Sequence, residues 1–260
     1  MVIVSSGLIR LHLGNSLVAK GFEAVEFDVE VQSLLQMSNV FAVKRLGYND
    51  HGPVHARIAA GSSLEIFKLL SGAVGSSIVK DGVGSMSDAE LVVMLGSYLH
   101  DIGNSIHRVN HSVHGVYLAV NILNRLLPKI YGTDLTPELI GIRQEILHVI
   151  YAHDDDVQAL TIEAGAAKVG DGVDMAGGRA RIPYRRGGES IHALSALAIE
   201  RVMIERGENR PVKIIVKTKN PAGIFQVENV MGKKIKTSGI QQYIEVEVRY
   251  RDKVRRVSFT

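Results

Sequence analysis

The feature that most constrains this chain is an apolar helix that ends in a histidine-rich stretch. Ser87 and Glu90 have the spacing of a capping box, which predicts a helix start there. The apolar positions at helical spacing after this cap are Leu91, Leu95, Tyr98 and Leu99. Because Gly103 stops the helix, the adjacent His100 and Asp101 lie at its carboxyl end. An imidazole and a carboxylate at one point predict a divalent-cation site; the alternative is a core histidine beside a surface aspartate.

The histidine content favours the metal interpretation. The chain has 10 histidines, and five of them lie between His100 and His148. Three follow the His-Asp pair closely, namely His107, His111 and His114. Since the chain has no cysteine, any metal must be held by histidine, aspartate or glutamate side chains.

Further candidate ligands lie before and after this stretch. His51 and His55 are four residues apart at a predicted helix start, so they share a face if both are helical. Asp171 and Asp174 belong to an otherwise apolar helix, predicted to run from Thr161 to Asp174. A buried carboxylate there requires a metal or an arginine as partner.

A third helix brings two more histidines. Thr136 followed by Pro137 is a strong start signal, because proline fits the first helical position. We predict that this helix carries His148 to the same layer as the other histidines and ends near His153.

Basic residues are concentrated late in the chain. A glycine-containing loop carries four arginines with the fork geometry that suits phosphate oxygens, Arg179, Arg181, Arg185 and Arg186. A solvated loop that pairs with acidic neighbours is the alternative. Residues 207–260 hold 12 lysines and arginines against 5 aspartates and glutamates, within a net charge of +3. Such a tail attracts nucleic acid or another polyanion, or forms a solvated sheet face.

The periodicity predicts a mainly α protein in three parts. Residues 1–28 form an N-terminal segment with short strands, residues 29–207 form a helical metal-binding domain, and residues 208–260 form a small basic α/β domain. The predicted short strands are Val2–Val4 and Ala24–Phe27. The last helix of the middle part is predicted to begin at Ser190 and to end at Gly207.

The C-terminal part is predicted to be a strand-helix-strand unit. Its strands are Val212–Lys217 and Tyr243–Tyr250, its helix starts at Asn220 and ends at Gly239, and Asp252 begins a turn into a further short strand. Exposed strand edges favour unwanted pairing. We therefore expect a homodimer that completes the sheet, unless the N-terminal strands do so within one chain.

Composition sets the broad class. At 260 residues and 46% hydrophobic content, the chain can bury a substantial core. It has no apolar run of membrane-spanning length and no secretory signal pattern. We expect a cytoplasmic protein with no membrane partner.

Three motifs together resemble the HD-domain superfamily of metal-dependent phosphohydrolases. Tyr48-Asn-Asp-His51 is similar to the first motif of that family, Leu99-His100-Asp101-Ile102-Gly103 to the second, and Val169-Gly170-Asp171-Gly172 to the last. The resemblance covers residues 29–207 and implies an HD-domain helical bundle. It also implies four metal ligands, His51, His100, Asp101 and Asp171. Family spacing favours His51 over His55 as the first ligand.

The resemblance implies roles for other residues as well. His111 and His148 are similar to the auxiliary histidines of many members, so Asp101, His111 and His148 are the catalytic candidates, and Asp101 bridges two metals if a second site exists. Further candidates for metal or phosphate are His55, His107, His114, His153 and Asp174. Asn104 stands where many members have lysine. Residues 212–225 are similar to half of an ACT-type ligand-binding fold.

These observations predict a metal-dependent phosphohydrolase that cleaves a phosphoester of a nucleotide or related small molecule with metal-activated water. The cofactor is a divalent ion: Mn, Ni, Co, Fe, Mg or Zn. One alternative is a nuclease or cyclic-nucleotide phosphodiesterase, which would use the basic tail to hold nucleic acid or a dinucleotide. The other is a non-catalytic metal- and nucleotide-binding regulatory module.

Overall fold

Helices make up most of the first 175 residues. The structure is a computed structural model that describes residues 1–175, 195 and 197–259. The helices before residue 176 are α1 (Ser16–Glu26), α2 (Val29–Asn39), α3 (Pro53–Val74), α4 (Ser77–Lys80), α5 (Met86–Leu99), α6 (His111–Tyr131), α7 (Pro137–Ala152) and α8 (Ile162–Gly172). A π-helical turn, Val40–Arg45, continues α2, and a 3-10 turn, Ile102–Ser105, follows α5. The mainly helical fold is as predicted.

Helix α5 lies at the centre, and almost all of its side chains from Ala89 onward are buried. Its capping box is formed by Ser85 and Asp88, so the predicted pair Ser87 and Glu90 is wrong by two residues. Asp88 Oδ2 accepts a hydrogen bond from the Ser85 N–H at 2.7 Å. Glu90 instead accepts one from Asn15 Nδ2 at 2.6 Å, which ties α5 to the residue that caps α1.

Helix α1 occupies the place of a predicted strand. The strand at Ala24–Phe27 is wrong, because Asn15 caps a helix by accepting a hydrogen bond from the Leu17 N–H at 2.9 Å. The residues that α1 buries, at helical spacing, are Val18, Gly21 and Val25. A Cβ on Gly21 would lie 2.4 Å from Leu91 Cδ1, so glycine permits the close contact with α5. Packing on α5 therefore outweighs the local strand propensity.

Within the described part of the chain, five strands form a single sheet in the order β1-β2-β3-β4-β5. They are β1 (Val2–Ile3), β2 (Ile199–Glu205), β3 (Val212–Thr218), β4 (Ile244–Tyr250) and β5 (Lys253–Val257). The β3–β4 pair is parallel, and the other neighbours are antiparallel. The predicted strands at Val2, Val212 and Tyr243 are confirmed, as is the turn that leads into β5.

Strand β2 overturns part of the helix predicted from Ser190 to Gly207. Apolar residues at helical spacing suggested that helix, but residues 199–205 are extended between β1 and β3, with Val202 opposite Val216. Residues 176–194, where the helix was predicted to begin, lie outside the described part. The helix predicted from Asn220 to Gly239 is present as short consecutive turns, which are α9 (Gly223–Gln226), a π turn (Val227–Met231) and α10 (Gly232–Lys236).

The sheet removes the reason for expecting a dimer. The strands β3 and β4 are both paired on two sides, β3 by β2 and β4, and β4 by β3 and β5. No exposed edge of these two strands needs a second copy of the chain. The homodimer stays a prediction without this support. Among the described helices, none has the length and apolar character that crossing a membrane requires.

The segment that includes α10 packs directly against the helical body. A Cβ on Gly165 of α8 would lie 2.4 Å from the Ser238 carbonyl oxygen. The Ala159 N–H donates a hydrogen bond to the Thr237 carbonyl at 2.9 Å. This contact brings α10 beside the ends of α7 and α8, where the candidate site lies.

Candidate metal centre

Imidazoles and carboxylates converge where several helices begin or end. His55 lies in the first turn of α3, His111 begins α6, and His100 and His153 directly follow the last residues of α5 and α7. Asp101 follows His100, and Asp171 and Asp174 lie at the end of α8. All seven side chains are buried.

The rings of His100 and His153 are oriented by the same type of local hydrogen bond. In each, Nδ1 faces the carbonyl oxygen three residues earlier, Ser97 O at 2.7 Å and Ile150 O at 2.5 Å. Each imidazole therefore donates to a carbonyl of the last helical turn that would otherwise lack a partner. His51 Nδ1 likewise donates to Asn49 O at 2.6 Å. With the proton on Nδ1, the Nε2 atoms of His100 and His153 are the ring nitrogens that face the cluster.

His55 is at the middle of the cluster. Its Nδ1 lies 2.7 Å from Asp174 Oδ2, so Nδ1 donates there and Nε2 points to the other ligands. That Nε2 lies 3.2 Å from His100 Nε2, 3.1 Å from Asp171 Oδ1 and 3.4 Å from Asp101 Oδ2. A histidine oriented by a carboxylate through its other nitrogen is the common arrangement around bound metals.

Asp101 faces two sides of the cluster. Its Oδ1 accepts a hydrogen bond from Asn104 Nδ2 at 2.7 Å and lies 3.8 Å from His111 Nε2 and 3.9 Å from His153 Nε2. Its Oδ2 is buried without a hydrogen-bond donor, 3.2 Å from His100 Nε2. A buried carboxylate oxygen with no donor is costly unless a cation satisfies it.

The residues present fit a divalent cation. His55, His100 and Asp171 form one group of ligand atoms within 4.8 Å of each other, and His100, Asp101 and His153 form another. The Nε2 atoms of His55 and His100 lie 3.2 Å apart, so a cation bound by both imidazoles would replace the proton that they share. Nitrogen and carboxylate donors suit Mn, Fe, Co, Ni and Zn.

Comparisons with known proteins agree with this geometry. A family model described as HD domain matches residues 63–176, which include His100, Asp101 and Asp171. An uncharacterised protein of Methanocaldococcus jannaschii, MJ1020, is 46% identical over 221 residues, or 85% of this chain and 84% of the relative. The chain belongs to the HD-domain family. HD domains belong to a superfamily of metal-dependent phosphohydrolases, and no solved structure matches this member.

Electrostatics set the protonation of the ligands in this HD domain. Burial alone would lower the pKa of His100, but attraction by Asp101 and Asp171 outweighs it and raises that pKa to about 9, so a cation bound at this imidazole would take the place of a proton. Burial lowers the pKa of His111 to about 4. Burial would raise the pKa of Asp171, yet Lys234 and His100 hold it well below its usual value. The imidazole of His111 is therefore neutral at pH 7, and the Asp171 carboxylate is ionised.

Lys234 of α10 is part of the site, and sequence reasoning missed it. Its Nζ lies 2.9 Å from Asp171 Oδ2 and 3.2 Å from Asp155 Oδ1, and it donates to the His153 carbonyl at 2.8 Å. The α/β part of the chain thus contributes a charge to the metal centre. No local motif marks Lys234, because it follows Asp171 by 63 residues in the sequence.

Of the other predicted site residues, His51 lies at the cavity, whereas His148 and His107 make hydrogen bonds outside the cluster. His51 lines the cavity over the cluster, with its ring centroid 5.9 Å from that of His55, and its role as a ligand stays a prediction. His148 Nε2 accepts a hydrogen bond from the Leu160 N–H at 3.1 Å, which uses its lone pair away from the cluster. The exposed His107 binds its own loop, since its Nδ1 accepts from the Val109 N–H at 3.0 Å.

The remaining predicted residues have no demonstrated place in the centre. His114 lies on α6, and its Nδ1 is buried without a hydrogen-bond partner. It belongs to neither group of ligand atoms found among the described residues. The predicted phosphate-binding arginines, Arg179, Arg181, Arg185 and Arg186, lie outside the described residues. The ACT-like likeness is not confirmed, since the structure shows only a small five-stranded sheet there.

Proposed function

We propose that this protein is a metal-dependent phosphohydrolase that hydrolyses a phosphoester of a nucleotide or related small molecule. The observation that carries the proposal is the buried Asp101 carboxylate, whose Oδ2 lacks a donor and is surrounded by imidazole nitrogens at the base of a cavity. Ligands that substrate and water can reach from an open cavity are typical of catalytic metal sites, whereas structural metal sites are closed.

The ligands fall into two overlapping sets. His55, His100, Asp101 and Asp171 would hold one cation, and Asp101, His111 and His153 have the donors for another. When bound, a divalent cation makes water more acidic and offsets negative charge on a phosphoryl group. Asp174 orients His55, and Lys234 holds the second oxygen of Asp171, so neither ligand must reorganise on metal binding.

The cavity supports a small substrate. Its volume is about 730 Å³, within the range of cavities that bind small molecules. Its wall includes partly exposed apolar side chains beside the polar base, among them Leu46, Tyr48 and Val109. An apolar wall next to a metal centre suits a substrate with a phosphate at one end and a flat organic group, such as a nucleobase, at the other.

The basic C-terminal part gives less support to a nuclease. Several of its cations are already paired: Lys213 lies 3.1 Å from Glu247, Lys234 lies 2.9 Å from Asp171, and Arg255 lies 2.8 Å from Glu228. Paired cations contribute little to binding a polyanion. We therefore prefer a small phosphoester over a nucleic acid as substrate.

A hydrolysis screen tests the proposal. We expect nucleotides to release phosphate or a nucleoside monophosphate in the presence of at least one of Mn, Ni, Co, Fe, Mg and Zn. A folded double variant, His100→Ala with Asp101→Ala, should lose both turnover and bound metal, since it removes donors from both ligand sets. Stoichiometric metal binding without turnover of any phosphoester would instead identify a non-catalytic binding module.

A further inference from the structure

The cavity over the metal centre has few cations to receive an anion. Among its described lining residues, the only lysine and arginine are Lys234 and Arg108. Lys234 is committed to Asp171, Asp155 and the His153 carbonyl. Six aspartates line the same cavity, Asp101, Asp154, Asp155, Asp156, Asp171 and Asp174. A phosphate can therefore approach this wall favourably only beside the ligated cation and Arg108.

Arg108 is anchored but not neutralised. Its Nη1 donates a hydrogen bond to Asn104 Oδ1 at 3.2 Å, and the buried Asn104 in turn donates to Asp101 Oδ1 at 2.7 Å. The guanidinium is 4.0 Å from Asp101 Oδ1, at the limit of an ion pair, and the side chain is 36% exposed. The guanidinium has five N–H donors, so this anchor leaves most of them for a ligand.

The loop that carries Arg108 is fixed on both sides. Before it, the His107 N–H donates to the Gly103 carbonyl at 3.3 Å. After it, Asn110 adopts a left-handed conformation, with φ of 57°, and His111 then begins α6. The loop thus fixes the backbone at Arg108, and Asn104 orients the guanidinium, which lowers the entropic cost of binding.

From this geometry we infer that Arg108 binds a phosphoryl oxygen of the substrate next to the Asp101–His111 side of the metal centre. The inference rests on the proposed function and adds to it the residue that positions the phosphate. An arginine fork makes two-point, charge-assisted hydrogen bonds to phosphate, which a lysine cannot reproduce. Among the described residues that line the cavity, Arg108 is the cation that can make these hydrogen bonds, because Lys234 already binds Asp171 and Asp155.

Binding of inorganic phosphate to the Mn²⁺-loaded protein tests Arg108 apart from turnover. We expect Arg108→Gln to weaken phosphate binding by about 10- to 100-fold, the loss of one charge-assisted contact. Arg108→Lys should restore part of that loss, because it keeps the charge and loses the fork. Metal content, by elemental analysis, should equal that of the wild type in both variants.

Arg143→Gln is the matched control. Arg143 also donates to an asparagine, Asn124 Oδ1 at 2.5 Å, but it lies on α7 and does not line the cavity. Its replacement should leave phosphate affinity unchanged. Phosphate affinity within twofold of wild type in Arg108→Gln, or no phosphate binding by the wild type, would overturn the inference. Normal phosphate binding without hydrolysis of any phosphoester would count against the proposed function alone.

Discussion

At the scale of single residues, the metal centre is built by fixing one nitrogen of each ring so that the other faces the cluster. Backbone carbonyls orient His100 and His153, and the Asp174 carboxylate orients His55. Each contact satisfies a polar group that would otherwise be buried alone, so local folding and ligand orientation have the same cause. Metal affinity should therefore depend on these partners as well as on the ligands.

His55 and Asp174 give a prediction that tests this dependence. We expect Asp174→Asn to weaken metal binding by about 10- to 100-fold, the usual cost of losing an orienting partner. His55→Ala should cost more, because its Nε2 faces His100, Asp101 and Asp171 within 3.4 Å. Metal affinity is measured by titration with Mn²⁺ and checked by elemental analysis.

The exposed His107 provides the control, since His107→Ala removes an imidazole outside the cluster. His51→Ala tests which histidine is the first ligand, since the family resemblance favours His51 over His55. Metal loss in His51→Ala with normal metal content in His55→Ala would restore that assignment and contradict the central place of His55.

Some of the centre is predictable from sequence, and some depends on the fold. The His-Asp pair is recognisable because both residues end one apolar helix. His148 was a reasonable candidate, but it precedes His153 by five residues on α7, and five residues turn a helix by about 140° away from the first position. The two rings therefore point in different directions, and only the structure shows that His153 faces Asp101. Lys234 became visible only when distant segments came together.

At the scale of elements, the centre depends on a close crossing between the 3-10 turn after α5 and the first turns of α6. A Cβ on Gly103 would lie 1.9 Å from the His111 carbonyl oxygen and 2.4 Å from the Gly115 nitrogen. Both neighbours are backbone atoms, which cannot move aside as a flexible side chain can. Glycine at position 103 thus sets the distance between Asp101 and His111.

Gly103→Ala should destabilise the protein for this reason. We expect the free energy of unfolding to fall by about 1–3 kcal/mol or more, the usual cost of overpacking. Gly141→Ala on α7 is the control, because its Cβ would meet only Val83 Cγ1 at 3.7 Å, and alanine in a helix should add about 1 kcal/mol of stability. Urea unfolding measures both. Equal stability of Gly103→Ala and the wild type would show that the crossing can relax.

Two elements show why local patterns mislead. Ala24–Phe27 has strand-like residues, yet it completes α1 because the Asn15 cap and the buried Val18 and Val25 favour packing on α5. Ile199–Glu205 has helix-compatible spacing, yet it pairs with β1 and β3. In both segments, tertiary contacts that are remote in sequence decide the conformation.

At the scale of the whole molecule, the two ends of the chain meet around the helical body. Strand β1 pairs with β2, and the Val4 N–H extends this pairing by donating to Val202 O at 3.0 Å. Beyond the sheet, Thr237 Oγ1 donates to the Asp155 carbonyl at 3.0 Å, and Lys234 reaches Asp171. The C-terminal part is thus integrated with the metal centre, although the sequence suggested a separate appendage.

This integration predicts that a chain ending at Gly207 will not retain a stable metal centre. Every proposed ligand precedes Gly207, but truncation removes Lys234 and uncovers Gly165 and the pairing edge of β2. We expect the truncated chain to show little bound metal by elemental analysis and no cooperative thermal transition by circular dichroism. A folded truncated chain with stoichiometric metal would show that the helical body builds the centre alone.

In the full chain, Lys234→Met should leave the fold intact but weaken metal binding, because Asp171 loses the cation that orients its Oδ2 and keeps it ionised. The exposed Lys233 on the same helix gives the control Lys233→Met, which should behave as wild type.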